Sequence, residues 1–350
     1  MSWLVSLLVL SLLIFIHELG HYFAARLMGV YVEVFSIGFG KKIASFHKWG
    51  TQWSISMIPL GGYVKMKGQD DSDPTKISMD DNSYNTKTPM QRIFILLAGP
   101  AANFILAFVL YFIIALGGPQ ILSPVIGTVV KDSPAYVAGL ESNDTIKSIN
   151  GVDITTWKDM AKIIEHSNDS LNFTIIRDGF IELKTLTPKI SQSTNIFNEV
   201  IEKKMIGIGS AGVSHELELS LSETLTYATE QTIFASTVIF TGLQKLITGD
   251  VPAKELGGVI SIVKLTSDAT AAGWMSVLFF AALISVNLGV LNLLPIPALD
   301  GGHIMFNLYE FFTKKVPSEA VLIKLTIIGW VMLFSLMGLG LFNDINRLMG

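Results

Sequence analysis

Leu12-Leu-Ile-Phe-Ile-His17-Glu18-Leu-Gly-His21 closes an apolar run that starts at Met1 and has no ionisable side chain before His17. The pattern is His-Glu-x-x-His, and the run around it reads as a helix. At 3.6 residues per turn the two imidazoles stand one turn apart on one face, where they can share a metal ion. Glu18 sits beside them, within reach of a water that such an ion activates. Ionisable groups inside a membrane span are expensive, so three within five residues mark a functional site by default. A lone histidine there would read as one buried and satisfied by neighbouring helices.

The first run ends near Met28, and three more follow. Ile93 to Leu116 is 24 residues without a charge, Ala271 to Leu299 is 29 and Leu325 to Phe342 is 18, each about enough for a hydrocarbon core. A signal peptide competes for the first run, but no Lys or Arg precedes it and no clean small-x-small site follows. Of the 350 residues 15% are charged, against about 25% in soluble domains. The deficit is local: residues 1–28, 91–122, 271–312 and 320–342 hold only Glu18, Arg26, Arg92, Asp300, Glu310 and Lys324. The rest of the chain is charged at close to the soluble norm, so a membrane protein with a substantial aqueous part is expected.

Residues 26–92 carry nine Lys/Arg against six Asp/Glu, and 118–270 carry twelve against eighteen. By the positive-inside rule 29–90 is cytoplasmic, 118–270 lies outside, and four spans leave both termini outside. The net charge of −4 offers no basic surface for nucleic acid. Cysteine is absent, which excludes disulfides, thiolate nucleophiles and Cys-type metal sites. A metal site must use His, Asp or Glu.

Two aqueous regions have structure to read. Tyr31 to Lys67 is rich in Val, Ile, Phe and Trp; Val32–Ile37, Trp53–Ile58 and Tyr63–Met66 suggest a small sheet that dips into the membrane. Gly38 and Gly40 would permit close approach of a substrate segment or serve as plain turn residues, and 68–90 reads as a flexible loop. From Val125 to about Lys189 the order is strand 125–130, helix 133–140, strand 143–154 with an Asn-Gly turn, helix 156–166, and a hairpin around Asp178-Gly179. That order resembles a PDZ domain, which can bind an extended peptide as an added strand. A structural domain without a ligand is the alternative, and no Gly-Leu-Gly-Phe carboxylate loop is visible. Ser220 to Gly249 opens with Ser220-x-x-Glu223, a capping-box pattern. It reads as a helix lying on the membrane, with a fifth span as the alternative.

Two histidines and a water leave a tetrahedral catalytic zinc one protein ligand short. Asp300 is the only carboxylate in the third run and its immediate continuation, Asn292-Leu-Leu-Pro-Ile-Pro-Ala-Leu-Asp-Gly-Gly302. Pro295 and Pro297 prevent a regular helix there, and a broken helix at membrane depth marks a lined site. Asp300 is preferred as third ligand; His303 competes.

These motifs resemble the site-2 protease family of intramembrane zinc metalloproteases (M50), in particular the bacterial regulator of sigma-E protease group. The resemblance rests on HELGH at 17–21, Gly99-Pro100-Ala-Ala-Asn103 in the second run, the PDZ-like insert, Leu256-Gly-Gly-Val-Ile-Ser-Ile262 and Asn292-x-x-Pro295-x-Pro297-x-Leu299-Asp300-Gly301. It implies Zn2+ held by His17, His21 and Asp300, with Glu18 as general base. It also implies substrate contacts from Asn292, Pro295 and Pro297, and peptide pairing to the sheet around Phe35–Ile43, where Gly38 and Gly40 stand. One departure is that long proteobacterial members carry two tandem PDZ domains, and this chain has room for one.

The fold expected is a polytopic α-helical membrane protein with four transmembrane helices, a membrane-associated β-sheet and an inserted PDZ-like α+β domain. Its divisions are 1–28, 29–90, 91–117, 118–190, 191–270, 271–312 and 320–342. The function expected is cleavage of a single-span membrane protein, such as an anti-sigma factor or a remnant signal peptide, in the bacterial inner membrane. The site would face the cytoplasmic side, and the PDZ-like domain, with its peptide ligand, the outside. The alternatives are a metal or proton transporter, against which the lack of an inverted repeat counts, and a non-catalytic scaffold, which would not need Glu18.

Overall fold

The computed structural model describes residues 2–69 and 78–349, and the chain divides into two compact units, Met1–Ala115 with Leu221–Gly350, and Leu116–Ser220. Ahead of the second unit come α1 (Ser2–Leu27), β1 (Val32–Lys48), β2 (Thr51–Met66) and α2 (Pro89–Leu116). The second unit holds β3 (Gln120–Leu122), β4 (Ile126–Val129), α3 (Pro134–Val137), β5 (Thr145–Ile149), β6 (Val152–Asp153) and α4 (Trp157–His166). It continues with β7 (Leu171–Arg177), β8 (Phe180–Leu186), β9 (Lys189–Thr194), β10 (Val200–Met205), β11 (Ile208–Ser210) and β12 (Ser214–Glu216). After it come α5 (Leu221–Thr248), α6 (Val259–Ala272), α7 (Trp274–Asn292), α8 (Asp300–Thr313) and α9 (Glu319–Met349).

Among the described residues four helices are long and apolar enough to cross a membrane: Leu4–Leu27, Pro89–Leu116, Trp274–Asn292 and Glu319–Met349. They coincide with the four apolar runs. The third stops at Asn292 rather than running on to Leu299, because Pro295 and Pro297 lack the N–H that a continuing helix needs. The chain restarts as α8 at Asp300.

The strand-rich segment between α1 and α2 folds onto α1. Residues 32–37 of β1 pair with 62–66 of β2 on one side and with 52–55 on the other, and 42–48 pair with 51–56. The bend between the two parts of β1 is made at Gly38 and Gly40, whose φ angles of 86° and 85° favour glycine. Phe35 is buried in the middle of the sheet, its ring 4.6 Å from Trp53, 5.6 Å from Phe15 and 6.0 Å from Tyr22 of α1. Of the flexible loop expected over 68–90, residues 70–77 lie outside the described residues. The part from 78 to 88 is pinned: Tyr84 is buried with Val32, Met66 and Ile95, its N–H donates to the Lys67 carbonyl, and Tyr31 N–H donates to the Asn82 carbonyl. An aromatic anchor outweighs the polar composition around it.

The helices after the second unit close round α1 and α2. Small residues of α5, Ala228 and Ala235, are buried with Ala107 and Tyr111 of α2 and Ala282 and Val286 of α7. Helix α6 packs on α1, α7 and α9. Its N-terminus is held by the buried Asp344 of α9, which accepts from the N–H groups of Gly258 and Ser261 at 3.0 and 3.1 Å. Asn343 donates to the Ala253 and Leu256 carbonyls. The Leu256-Gly-Gly-Val-Ile-Ser-Ile262 motif is thus the capped entry to a helix that leans on α1.

In the second unit β6, β5, β7 and β8 form a sheet in that order. The turns at Asn150-Gly151 and Asp178-Gly179 have positive φ at both residues, the type I′ geometry that these dipeptides favour in hairpins. Ser133 caps α3 and Thr156 caps α4 through their hydroxyls. Ile126, Ile146, Ile149, Met160, Phe173 and Ile175 are wholly buried in one core. The unit reaches further than the expected boundary near residue 190. β9 and β10 form a hairpin, Ile206 enters the core, and β11 and β12 return to pair with β4 and β3. β11 and β12 are three residues each, too short for an alternation to be read from sequence.

Candidate metal centre

Helical periodicity makes the first half of the centre. His17 and His21, one turn apart on α1, are both buried, with ring centroids 4.8 Å apart and rings nearly perpendicular. Their Nε2 atoms are 3.2 Å apart. Helix α2 supports both rings. His21 Nδ1 lies 2.8 Å from the backbone carbonyl of Ile95; a carbonyl only accepts, so in the neutral ring the proton is on Nδ1 and Nε2 carries the lone pair. Gly99 makes room for the ring, since a methyl group there would overlap it. His17 Nδ1 faces the carboxamide of Asn103, 3.1 Å from Nδ2.

The other half comes from the interrupted helix. Asp300 is the first residue of α8, after a link over 293–299 that contains Pro295 and Pro297. The link is tightly bound. A Cβ on Gly302 would lie 2.5 Å from Pro297 Cα, and one on Gly329 of α9 would lie 2.6 Å from the Ala298 amide nitrogen. Helix α8 is tied to α2 by Arg92 Nη2, which donates to Glu310 Oε1 at 2.6 Å, both side chains largely buried. Asp300 Oδ2 thereby stands 3.3 Å from His17 Nε2 and 3.4 Å from His21 Nε2.

His17, His21 and Asp300 form the one group of this kind among the described residues. Tetrahedral ligands about 2.0–2.1 Å from an ion are about 3.3–3.4 Å from each other, which matches the three separations. Asp300 Oδ2 accepts no hydrogen bond among the described residues although it is buried, and it faces at least one bare imidazole lone pair. Two acceptors pointed at each other repel unless a cation lies between them. The donor set, two imidazoles and a carboxylate, suits zinc.

The remaining expected residues divide. Glu18 is not one of the three converging groups; it is next to His17 on α1, and a Cβ on Gly62 of β2 would lie 3.1 Å from its Cγ, so the sheet passes directly over its stem. His303, the competitor for third ligand, lies one turn further along α8 with its ring against Phe306. Asn292 ends α7, and Pro295 and Pro297 stand in the link that delivers Asp300. Gly38 and Gly40 make the bend in β1. Two supporting residues were not assigned a role from the sequence, Asn103 and Gly99. A polar Asn inside an otherwise apolar run was the available signal for the first.

Comparison with known proteins gives the family. A family model described as Peptidase family M50 matches residues 5–336. A protein of Campylobacter jejuni named as a zinc metalloprotease is 47% identical over 350 residues, covering 100% of this chain and 94% of the relative. A Helicobacter pylori protein (strain J99) named in the same way is 41% identical, over 99% of this chain and 100% of the relative. One from Clostridium acetobutylicum is 35% identical, over 97% and 96%.

Proposed function

Because the chain belongs to peptidase family M50 and is a multi-pass membrane zinc metalloprotease, we propose that it cuts single-span membrane proteins within or next to their membrane segment. One observation carries the reading: three ligand atoms 3.2–3.4 Å apart sit among helices apolar enough to cross a membrane, with a carboxylate one residue from the first ligand. His17, His21 and Asp300 hold the zinc, and Glu18 is the general base. When bound, zinc supplies Lewis acidity, which brings the pKa of water down to about 7 and polarises the scissile carbonyl. Glu18 takes the proton of the attacking water and passes it to the leaving amine. The surrounding helices limit water to what the reaction needs.

A helical substrate hides its amides in hydrogen bonds, so it must be opened locally before hydrolysis. The sheet of β1 and β2, lying over Glu18, supports strand pairing with the opened segment. An apolar cavity of about 320 Å³ between α1 and the sheet, lined by Phe15, Phe35, Ile37, Phe46, Trp53 and Ile55 among others, suits a bulky apolar side chain. Gly38 and Gly40 keep the bend of β1 free of side chains, and Asn292, Pro295 and Pro297 also contact the substrate. Residues 29–90 face the cytoplasm of a bacterial inner membrane, from the excess of Lys and Arg there. Substrates include anti-sigma-factor-like proteins and remnant signal peptides. The segment 118–190, read as PDZ-like from its strand and helix order, lies outside and takes an extended peptide by strand addition.

The test is Glu18→Gln in the full-length protein, assayed for zinc content and for cleavage of a single-span substrate in vesicles. Zinc stays and cleavage stops. Cleavage at the wild-type rate would end the reading.

A further inference from the structure

Resting on the ligand set proposed above, we infer that Asn103 decides which nitrogen of His17 is offered to the metal, by accepting a hydrogen bond from His17 Nδ1–H. A neutral imidazole carries one N–H. For His17 to present the lone pair of Nε2, its proton must be on Nδ1, and Nδ1–H then needs an acceptor. At His21 the acceptor is the backbone carbonyl of Ile95, which no side-chain substitution removes. At His17 the group in that position is the carboxamide of Asn103.

Asn103 is wholly buried in α2. Its main chain is pinned by Ser285 of α7, whose buried hydroxyl donates to the Asn103 carbonyl at 2.8 Å. The amide faces Nδ1 with its Nδ2 end, while Oδ1 has no hydrogen-bond partner among the described residues. That orientation suits a His17 protonated on Nε2, the nitrogen that points at Asp300. Ligation through Nε2 requires the opposite one. The two ends of a carboxamide are nearly alike in size, and the partner determines which end faces it. A half turn about Cβ–Cγ brings Oδ1 to Nδ1–H and exchanges one unpaired end for the other, so the preference is set by His17. Asparagine can serve either tautomer. Aspartate can serve only the ligating one, and leucine neither. Asn103 is therefore a positioning residue: it acts on the metal through His17.

The experiment uses the purified full-length protein, with zinc affinity measured by chelator competition for wild type, Asn103→Leu, Asn103→Asp and, as reference, His17→Ala. Losing an outer-shell partner of a ligating histidine lowers metal affinity about 10–100-fold. Asn103→Leu is expected to fall in that range and Asn103→Asp to bind at least as tightly as wild type. The cobalt-substituted Asp variant is expected to keep the wild-type d–d spectrum. An amide that only fills space, or that donates to His17, predicts instead that Asp is as weak as Leu, and that result overturns the inference. So does Asn103→Leu binding within twofold of wild type. If Asn103→Leu does not fold, nitrogen NMR of the zinc-loaded wild type with labelled histidine decides: a proton on His17 Nδ1 supports the inference and a bare Nδ1 ends it. His17→Ala binding zinc as tightly as wild type would overturn the ligand set itself, and with it the inference; loss in His17→Ala with no loss in Asn103→Leu overturns the inference alone.

Discussion

Asp144 in the 116–220 unit and Asp300 in the helical unit are both carboxylates taken out of water, and they are given partners in opposite ways. Asp144, fully buried, accepts from Glu141 N–H at 2.8 Å and from Nε and Nη2 of Arg177 at 2.7 Å each. The hydrogen bonds that Arg177 donates to Asp144 lead the effects that raise its guanidinium above its already high value. Asp300 Oδ2 has no hydrogen-bond partner among the described residues and looks at two imidazole nitrogens. A buried charge is tolerated only when paired. At Asp144 the chain supplies the pairing itself, so the carboxylate serves the fold. At Asp300 the chain, with neutral imidazoles, offers no such pairing, an arrangement that suits a bound cation.

Substitutions at the two sites should therefore separate. The largest effect is expected from Asp300→Asn, which removes a direct ligand: zinc affinity measured by chelator competition should drop by more than the roughly 100-fold of an outer-shell loss, and cleavage should vanish with it. Unchanged zinc binding would show that Asp300 is as structural as Asp144. Asp144→Ala should do the reverse. Arg177 keeps its bonds to Glu141 and the Gly139 carbonyl and is partly exposed, so the loss of stability should fall below the roughly 3–5 kcal/mol of a fully broken buried pair. Amide hydrogen exchange over β7 and β8 should accelerate while zinc content holds; a loss of zinc would break the contrast.

Gly99→Ala tests the support of His21 from α2. Overpacking a close contact costs about 1–3 kcal/mol, and here the strain falls on a ligand ring, so both melting temperature and zinc affinity should drop. Full retention of both would mean that the helices part without cost. The smallest effect belongs to His303→Ala. Zinc content should stay within twofold of wild type, and a fall to the Asp300→Asn level would pass the third-ligand role to His303.

Much of the centre was legible in the chain. His17 and His21 could be paired from spacing alone, because helical geometry is local, and Asp300 stood out as the sole carboxylate from Ala271 to Gly302, next to prolines that break the helix. Of the six charges in the apolar runs, Asp300 converges on the two histidines, Glu18 stands next to the first of them, and Arg92 and Glu310 neutralise each other between α2 and α8. That second pairing could not be read in advance, since nothing local relates two residues so far apart. Tyr84 likewise turned an expected loop into part of a core. In the 116–220 unit the turn dipeptides and the alternation of apolar residues announced the strands and helices up to Leu186, but β11 and β12 carry three residues each and no period.

The sequence by itself determined the membrane runs, the metal-binding face of α1 and the break before Asp300, because each depends on composition or on a period spanning a few neighbouring residues. Only the tertiary structure decided that Asp300 rather than His303 meets the histidines, and that Ile95, Gly99 and Asn103 of α2 orient their rings. Those outcomes depend on where separate helices cross, and crossing is set by the packing of the whole helical unit rather than by any one segment.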